Sequence, residues 1–171
     1  TEGYGPSIKG FKELIEKEVK VIFTVDCGTL SFEAIDYAKN KDVDVIVLDH
    51  HQSEINLPKA FSVINPNRLD DKSNLQYLCA AGEVFLLLVG LNSKLKKAGN
   101  KVPNLLLSLD LVALATIADV VPLIGLNRAY VKSGLKIIEK RQNTGLSALM
   151  DVSKINDQIK ASQLGFSLGP R

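Results

Sequence analysis

At 171 residues, with 46% hydrophobic residues, 6% aromatics and no Trp, the chain holds enough material for one domain, or most of one, around an aliphatic core. Its formal net charge of +2 does not by itself mark a nucleic-acid partner, so any basic surface has to be local. Cys27 and Cys79 stand far apart without repeated spacing, which excludes a disulfide scaffold and a cysteine-rich zinc cluster; Asp or Pro breaks every apolar run well short of a membrane span.

Without a secretory signal or a lipid-anchoring motif, the chain is expected to be a soluble, cytoplasmic protein with no membrane partner. It opens on TEGYGPS, without an initiator Met, and stops at SLGPR, a Gly-Pro turn. Both ends are expected to be cuts inside a longer polypeptide.

Pro6 and Ser7 precede IKGFKELIEKEVK, where Ile8, Phe11, Leu14 and Ile15 share one helical face. VKVIFTVDCG follows, a β-branched run ending at Asp26 and Gly28 that reads as a strand buried on both faces. SFEAIDYAKNKD predicts a second amphipathic helix, with Ser31 as N-cap and Glu33 in its first turn. VDVIVLDHH is a further buried strand. Strand, helix and strand with a crossover of this length predict a right-handed parallel βαβ unit.

The segment after Ser53 is turn-rich, with a short strand expected at Phe61 to Ile64. From Gln76 the pattern becomes helical. QYLCAAGEVFLLLVGLNSKLKKAG reads as a long, mostly buried helix, and PNLLLSLDLVALATIADVVPL as one nearly unbroken from Pro103 to Pro122. NRAYVKSGLKIIEK and TGLSALMDVSK supply two more, and INDQIKASQLGFSLGPR begins a last one. The expected architecture is α/β: a parallel sheet with flanking helices over residues 1–75, followed by a helical half over residues 76–171, with no repeat and no flexible linker between them.

Ligands in open parallel sheets bind outside the carboxyl ends of strands, and both Asp26 and the Asp49-His50-His51 cluster terminate strands. Consecutive residues of an extended segment point to opposite sides, so the two histidines should not share a job; one can ligate a metal while the other faces a substrate. Asp119 is the third candidate. It and Asp110 are the only charges in LDLVALATIADVVPL, nine residues apart and half a turn out of phase on an ideal helix. If Asp110 lies near solvent, Asp119 points among apolar neighbours and needs a cation, which is either Arg128 or a metal ion. Asp26, His50 and Asp119 together would form an oxygen-rich, one-imidazole set suited to Mn²⁺ or Mg²⁺.

Other candidates carry less. Cys27 lacks an activating motif and reads as a strand-end cysteine rather than a nucleophile served by His50. The GYG of residues 3–5 lacks the Lys and Ser/Thr of a phosphate loop. Lys94, Lys96, Lys97 and Lys101 read as a solvated helix end.

VDCG, LDHH and ATIADVVPL, in this order and at these separations, resemble the DHH phosphoesterase superfamily. EGYG, DHHQSEINLPKAFSVINPNR, CAAGEVFLLL, ADVVPLIGLNR and the terminal LGPR narrow the resemblance to its bacterial RecJ-type exonuclease family, which acts on single-stranded DNA. The resemblance covers nearly the whole chain. It implies two divalent ions, usually Mn²⁺, with Asp26 bridging both, and His50 and Asp119 as ligands of the second. It implies His51 facing the scissile phosphate, Asp49 orienting the histidines, and Arg171 near the DNA path.

It also implies parts not found here: an Asp-x-Asp motif on a strand before Thr1, and a second lobe and oligonucleotide-binding domain beyond LGPR. The chain is therefore expected to be an inactive piece of a 5′→3′ exonuclease of recombination and repair. The alternatives are a phosphodiesterase for short oligonucleotides or cyclic dinucleotides, a pyrophosphatase, or a non-catalytic nucleic-acid-binding protein on a DHH fold.

Overall fold

The structure, a computed structural model, describes residues 4–171; Thr1, Glu2 and Gly3, with their share of the EGYG block and the GYG turn, lie outside the described residues. Two compact units divide the chain, Thr1–Gln76 and Tyr77–Arg171.

The first unit begins with α1 (Ile8–Ile15), where the Ser7 hydroxyl accepts the Gly10 N–H at 3.0 Å. The helix is shorter than the amphipathic run suggested. Glu16 is its C-cap and Glu18 turns into the left-handed region, so Phe11 is buried while Ile8 and Leu14 stay exposed. Strand β1 (Val21–Val25), helix α2 (Phe32–Lys39) and strand β2 (Asp44–Leu48) form a parallel β-α-β unit, and β3 (Ser62–Ile64) extends the sheet in the order β1-β2-β3. The register pairs Val21 with Asp44 through Val25 with Leu48, and Ile46 with Ser62 through Leu48 with Ile64. Ser31 occupies the N-cap position of α2, but its side chain makes no capping bond.

One sheet face carries Ile22, Val45, Val47 and Val63, packed with Phe11, Ala34, Ile35, Ala38 and Val43. The expectation of strands buried on both faces is corrected for β1. Val21, Phe23 and Val25 alternate with the buried positions and are exposed, Phe23 by 55%. The helices α1 and α2 both contribute to the core on the Ile22 face, so a β-branched run that looks two-sided in sequence is covered on one side only.

The second unit is helical. Helix α3 (Ala80–Lys97) buries Ala80, Gly82, Glu83 and Phe85 near its start and exposes Lys94, Lys96 and Lys97 in its last turn, where cations meet the negative end of the helix dipole. The long helix expected from Pro103 to Pro122 is in fact two pieces. A 3₁₀ turn (Leu105–Ser108), started by Asn104, leads into α4 (Leu109–Ala118), and Asp119 caps its C-terminus. Val120 follows in the left-handed region at φ 58°, an unusual place for a β-branched residue.

This break reverses the expected roles of two aspartates. Asp110 is buried in the first turn of α4, accepting from the Asn143 Nδ2 at 3.0 Å, whereas Asp119 is exposed. Counting 100° per residue fails because Asp119 lies past the last helical residue. Helix α5 (Gly125–Ile138), α6 (Thr144–Val152) and α7 (Ala161–Gln163), which widens into a π-helical turn (Leu164–Leu168), complete the unit. Their core joins Ala113, Val131, Ile138, Leu146, Met150, Ile155, Ile159, Leu164 and Leu168.

Helices α4 and α5 cross at Gly134, where a Cβ would meet the Leu109 carbonyl oxygen at 2.2 Å and the Ala113 Cβ at 2.4 Å. Gly134→Ala should therefore lower unfolding stability by about 1–3 kcal/mol through overpacking, although alanine is the better helix former by about 1 kcal/mol. Urea titration checks this; an unchanged or raised midpoint would show that the helices separate without cost.

Candidate metal centre

Asp26 follows the last residue of β1, its N–H donating to the Leu48 carbonyl of β2 at 2.9 Å. Its backbone is left-handed, φ 63°, a conformation that aspartate tolerates better than most residues. The chain then turns through Gly28, at φ 117°, where any Cβ would fall 2.5 Å from the Thr24 hydroxyl oxygen. This turn carries Thr29 back over the sheet end, toward the loop that leaves β2.

That loop is Asp49-His50-His51. The Asp49 carboxylate is almost fully buried and accepts the Thr29 N–H at 2.9 Å, the His51 N–H at 3.2 Å and the His51 ring Nδ1 at 2.6 Å. Burial alone would raise its pKa; the Thr29 amide and the His51 ring outweigh it and hold the group below the ordinary carboxylate value. A carboxylate only accepts, so the proton of the His51 ring sits on Nδ1 and the chemistry of this imidazole falls to Nε2.

His50 turns the other way. Its Nε2 lies 3.1 Å from Asp26 Oδ1, with the imidazole largely buried, 12% exposed, and the carboxylate 56% exposed. The two histidine rings stand 4.7 Å apart and tilted by 57°. Asp26, His50 and His51 each offer a ligand atom, all within 4.8 Å of one another.

Residues after β3 complete the loop, and these were not singled out from the sequence. Asn65 Nδ2 donates to the His51 carbonyl and to the Thr29 hydroxyl, both at 2.9 Å. Asn65 Oδ1 accepts the Asn67 N–H at 2.7 Å, and Asn67 Nδ2 donates to the His50 carbonyl at 2.5 Å. Arg68 ties the end of β3 down through the Val63 carbonyl at 2.6 Å and a two-point pair with Asp70. The available signal was the same strand-end rule applied to Asp26: N-P-N follows the short strand directly.

The donors fit a divalent cation. Two ligands set at right angles about one ion, each about 2.1 Å from it, lie about 3 Å apart, as Asp26 Oδ1 and His50 Nε2 do. A carboxylate with imidazoles and no thiolate suits a hard or borderline ion. Cys27 does not add one: burial first, then Asp49 and Asp26, push its pKa up, so it remains a thiol, donating to the Val25 carbonyl.

The remaining candidates lie in the second unit. Asp119 is exposed at the C-cap of α4, and Arg128 takes part in no ion pair among the described residues. Arg171 is exposed, its guanidinium donating to the Ser167 carbonyl.

A parallel sheet whose strand ends present Asp26 and Asp-His-His, continued by a helical unit, defines a DHH-type domain. The sequence profile of the DHH family, N-terminal domain, matches residues 4–116, and the chain belongs to that family. It is similar to the single-stranded-DNA-specific exonuclease RecJ of Haemophilus influenzae, 39% identical over 99% of this chain and 31% of that protein. The RecJ of Escherichia coli is 37% identical over the same shares. A crystal structure of exonuclease RecJ bound to manganese superposes with a TM-score of 0.83 at 34% identity, covering 99% of this chain and 41% of that one. RecJ from Thermus thermophilus in complex with Mn²⁺ gives 0.78 at 33% identity, over 96% of this chain and 24% of that one. The chain thus spans about a third of the curated relatives' length. Among the described residues no helix is long and apolar enough to cross a membrane.

Asp49→Asn tests the buried hub. An amide presents one acceptor where the carboxylate meets donors on both oxygens, so a Thr29 or His51 donor loses its partner. Thermal or urea unfolding should show a loss of about 1–3 kcal/mol. A variant as stable as the parent would mean that Asp49 does not organise the two loops.

Proposed function

We propose that this chain is part of the catalytic core of a RecJ-type exonuclease that hydrolyses phosphodiester bonds of single-stranded DNA from 5′ to 3′, a cytoplasmic enzyme of recombination and repair. The observation that carries the reading is Asp26 facing His50 at 3.1 Å at the ends of adjacent parallel strands, in a chain similar over 99% of its length to RecJ proteins.

In this reading Asp26, His50 and Asp119 hold Mn²⁺ or Mg²⁺, two ions in the intact enzyme. Asp26 would serve both ions, as its match to the family's motif implies, and the ions would need ligands beyond these three. Bound there, the ions supply Lewis acidity toward the phosphate and the attacking water. His51 presents Nε2 to the scissile phosphate, and Asp49 fixes its tautomer from behind. Arg171 holds the strand near the terminal LGPR. The support for Asp119 and Arg171 is their match to the family's motifs.

Calorimetric titration with Mn²⁺ reads the centre without turnover: Asp26→Ala and His50→Ala should each weaken binding at least tenfold, and wild-type affinity in both would overturn the assignment. In the complete polypeptide, Asp26→Ala should cut hydrolysis on the order of 10³-fold, since metals contribute several kcal/mol of charge stabilisation. A 5′-labelled strand should release labelled mononucleotide first; release first from a 3′ label would overturn the polarity.

The 171 residues taken alone should turn over poorly. Two ions about 3.5–4 Å apart need more ligands than Asp26, His50 and Asp119 supply. Incubation of the purified chain with labelled single-stranded DNA and Mn²⁺ checks this, and rapid degradation would show the ligand set to be sufficient.

A further inference from the structure

The net charge of +2 conceals a division. Residues 1–76 carry nine Lys and Arg against thirteen Asp and Glu, a balance of −4; residues 77–171 carry twelve against six, a balance of +6. The strand-end cluster of Asp26, His50 and His51 belongs to the acidic unit, and Asp119 is the single metal-ligand candidate in the basic one. The basic excess therefore has a different source and needs its own account.

Its most ordered part is α5. Arg128, Lys132 and Lys136 recur at every fourth residue, all exposed, and Lys140 follows in the turn after the helix. At about 1.5 Å per residue the three helical cations span about 12 Å of one winding face. Ala129 and Ser133 lie between them, also exposed. Like charges four apart on a helix repel, and no ion pair among the described residues relieves Arg128, Lys132, Lys136 or Lys140. Glu139, beyond the last helical turn, makes no ion pair with them.

A second feature points the same way. Arg128 lies one turn into α5, near the helix end that attracts anions, where a cation is disfavoured. No acidic side chain occupies that first turn; its only side-chain acceptor among the described residues is the neutral Tyr77 hydroxyl, which takes the Leu126 N–H at 3.3 Å. Lys136 and Lys140, near the other end, can be explained by the dipole alone; Arg128 and Lys132 cannot.

We infer that the exposed α5 face of Arg128, Lys132, Lys136 and Lys140 is a phosphate track, a nucleic-acid contact separate in composition from the metal centre and working without metal. A single strand fits it by charge complementarity: a row of phosphates would relieve repulsion within the stripe. Such contacts carry no base specificity. The track would retain a strand independently of hydrolysis.

The test measures binding of fluorescent oligo-dT, about twenty nucleotides long, to the 171-residue chain in EDTA, across a salt series. K132Q/K136Q/K140Q should bind at least tenfold more weakly. Its plot of log affinity against log salt should be shallower by about 2, at about 0.7 per lost single-strand contact. K132R/K136R/K140R, which keeps the charge, should bind as the parent does, and K9Q/K12Q on α1 should change nothing. Asp26→Ala should also bind normally here, so failure of the metal centre and failure of the track give different results. Unchanged affinity and slope in the glutamine variant would overturn the inference, as would equal loss in the arginine variant. Lysine-dependent binding to phosphatidylserine vesicles with no binding of oligo-dT would overturn it too.

Discussion

The candidate metal site at the strand ends depends on one buried carboxylate. Asp49 receives the Thr29 amide from the turn after β1, and the backbone and ring of His51 from the turn after β2. The parallel register brings the two strand ends side by side, with Val25 opposite Leu48. Register alone leaves the loops beyond them undetermined. A buried anion with donors from both loops ties them together, and its cost of burial is offset only while those donors are in place. The adjacent histidines separate on this account: His51 is drawn onto Asp49, and His50 is left to turn toward Asp26.

The backbone around this carboxylate is correspondingly unusual. Asp26 adopts a left-handed conformation and Gly28 another, within three residues of the end of β1. Such conformations persist where the surroundings over-determine them. Here the surroundings are the Leu48 carbonyl, which accepts the Asp26 amide, and Asp49, which accepts Thr29. Asn65 then bonds both Thr29 and His51, so the third strand supports the same two loops. Three consecutive strand ends converge on one small set of hydrogen bonds.

What the sequence made readable follows from which forces are local. Apolar runs ending in Asp-Cys-Gly and Asp-His-His located β1, β2 and the rim residues, because strand patterning and the strand-end rule need no knowledge of packing. The open face of β1 was hidden, since exposed Val21, Phe23 and Val25 have the same composition as buried ones. The Asn65–Asn67 clamp was also hidden: its partners are backbone carbonyls, which leave no mark in a residue string. Asp110 and Asp119 were read in reverse because the phase argument assumed one continuous helix. The helix actually starts at Leu109 and stops at Ala118, placing Asp110 where N-terminal amides and Asn143 can take its charge.

The division of charge between the units was equally present in the sequence and equally easy to miss, because a total of +2 averages it away. Its physical sense lies in the range of the two kinds of interaction. A cation centre built from a carboxylate and imidazoles tolerates acidic surroundings, since they favour the ion it holds. Unpaired Lys and Arg close to such a centre would compete with that ion, and screening lets them act at full strength only within about a Debye length, roughly 8–10 Å. Of the nine cations in residues 1–76, Arg68 is paired with Asp70, and Lys9 and Lys12 face Glu13 and Glu16 along α1. The stripe on α5 has no such partners. Pairing occurs in both units, Arg141 with Asp151 in the second as Arg68 with Asp70 in the first, so what sets the α5 stripe apart is that four cations in one row have no ion pair among the described residues, and a row of like charges gains most from an anion that neutralises several of them at once.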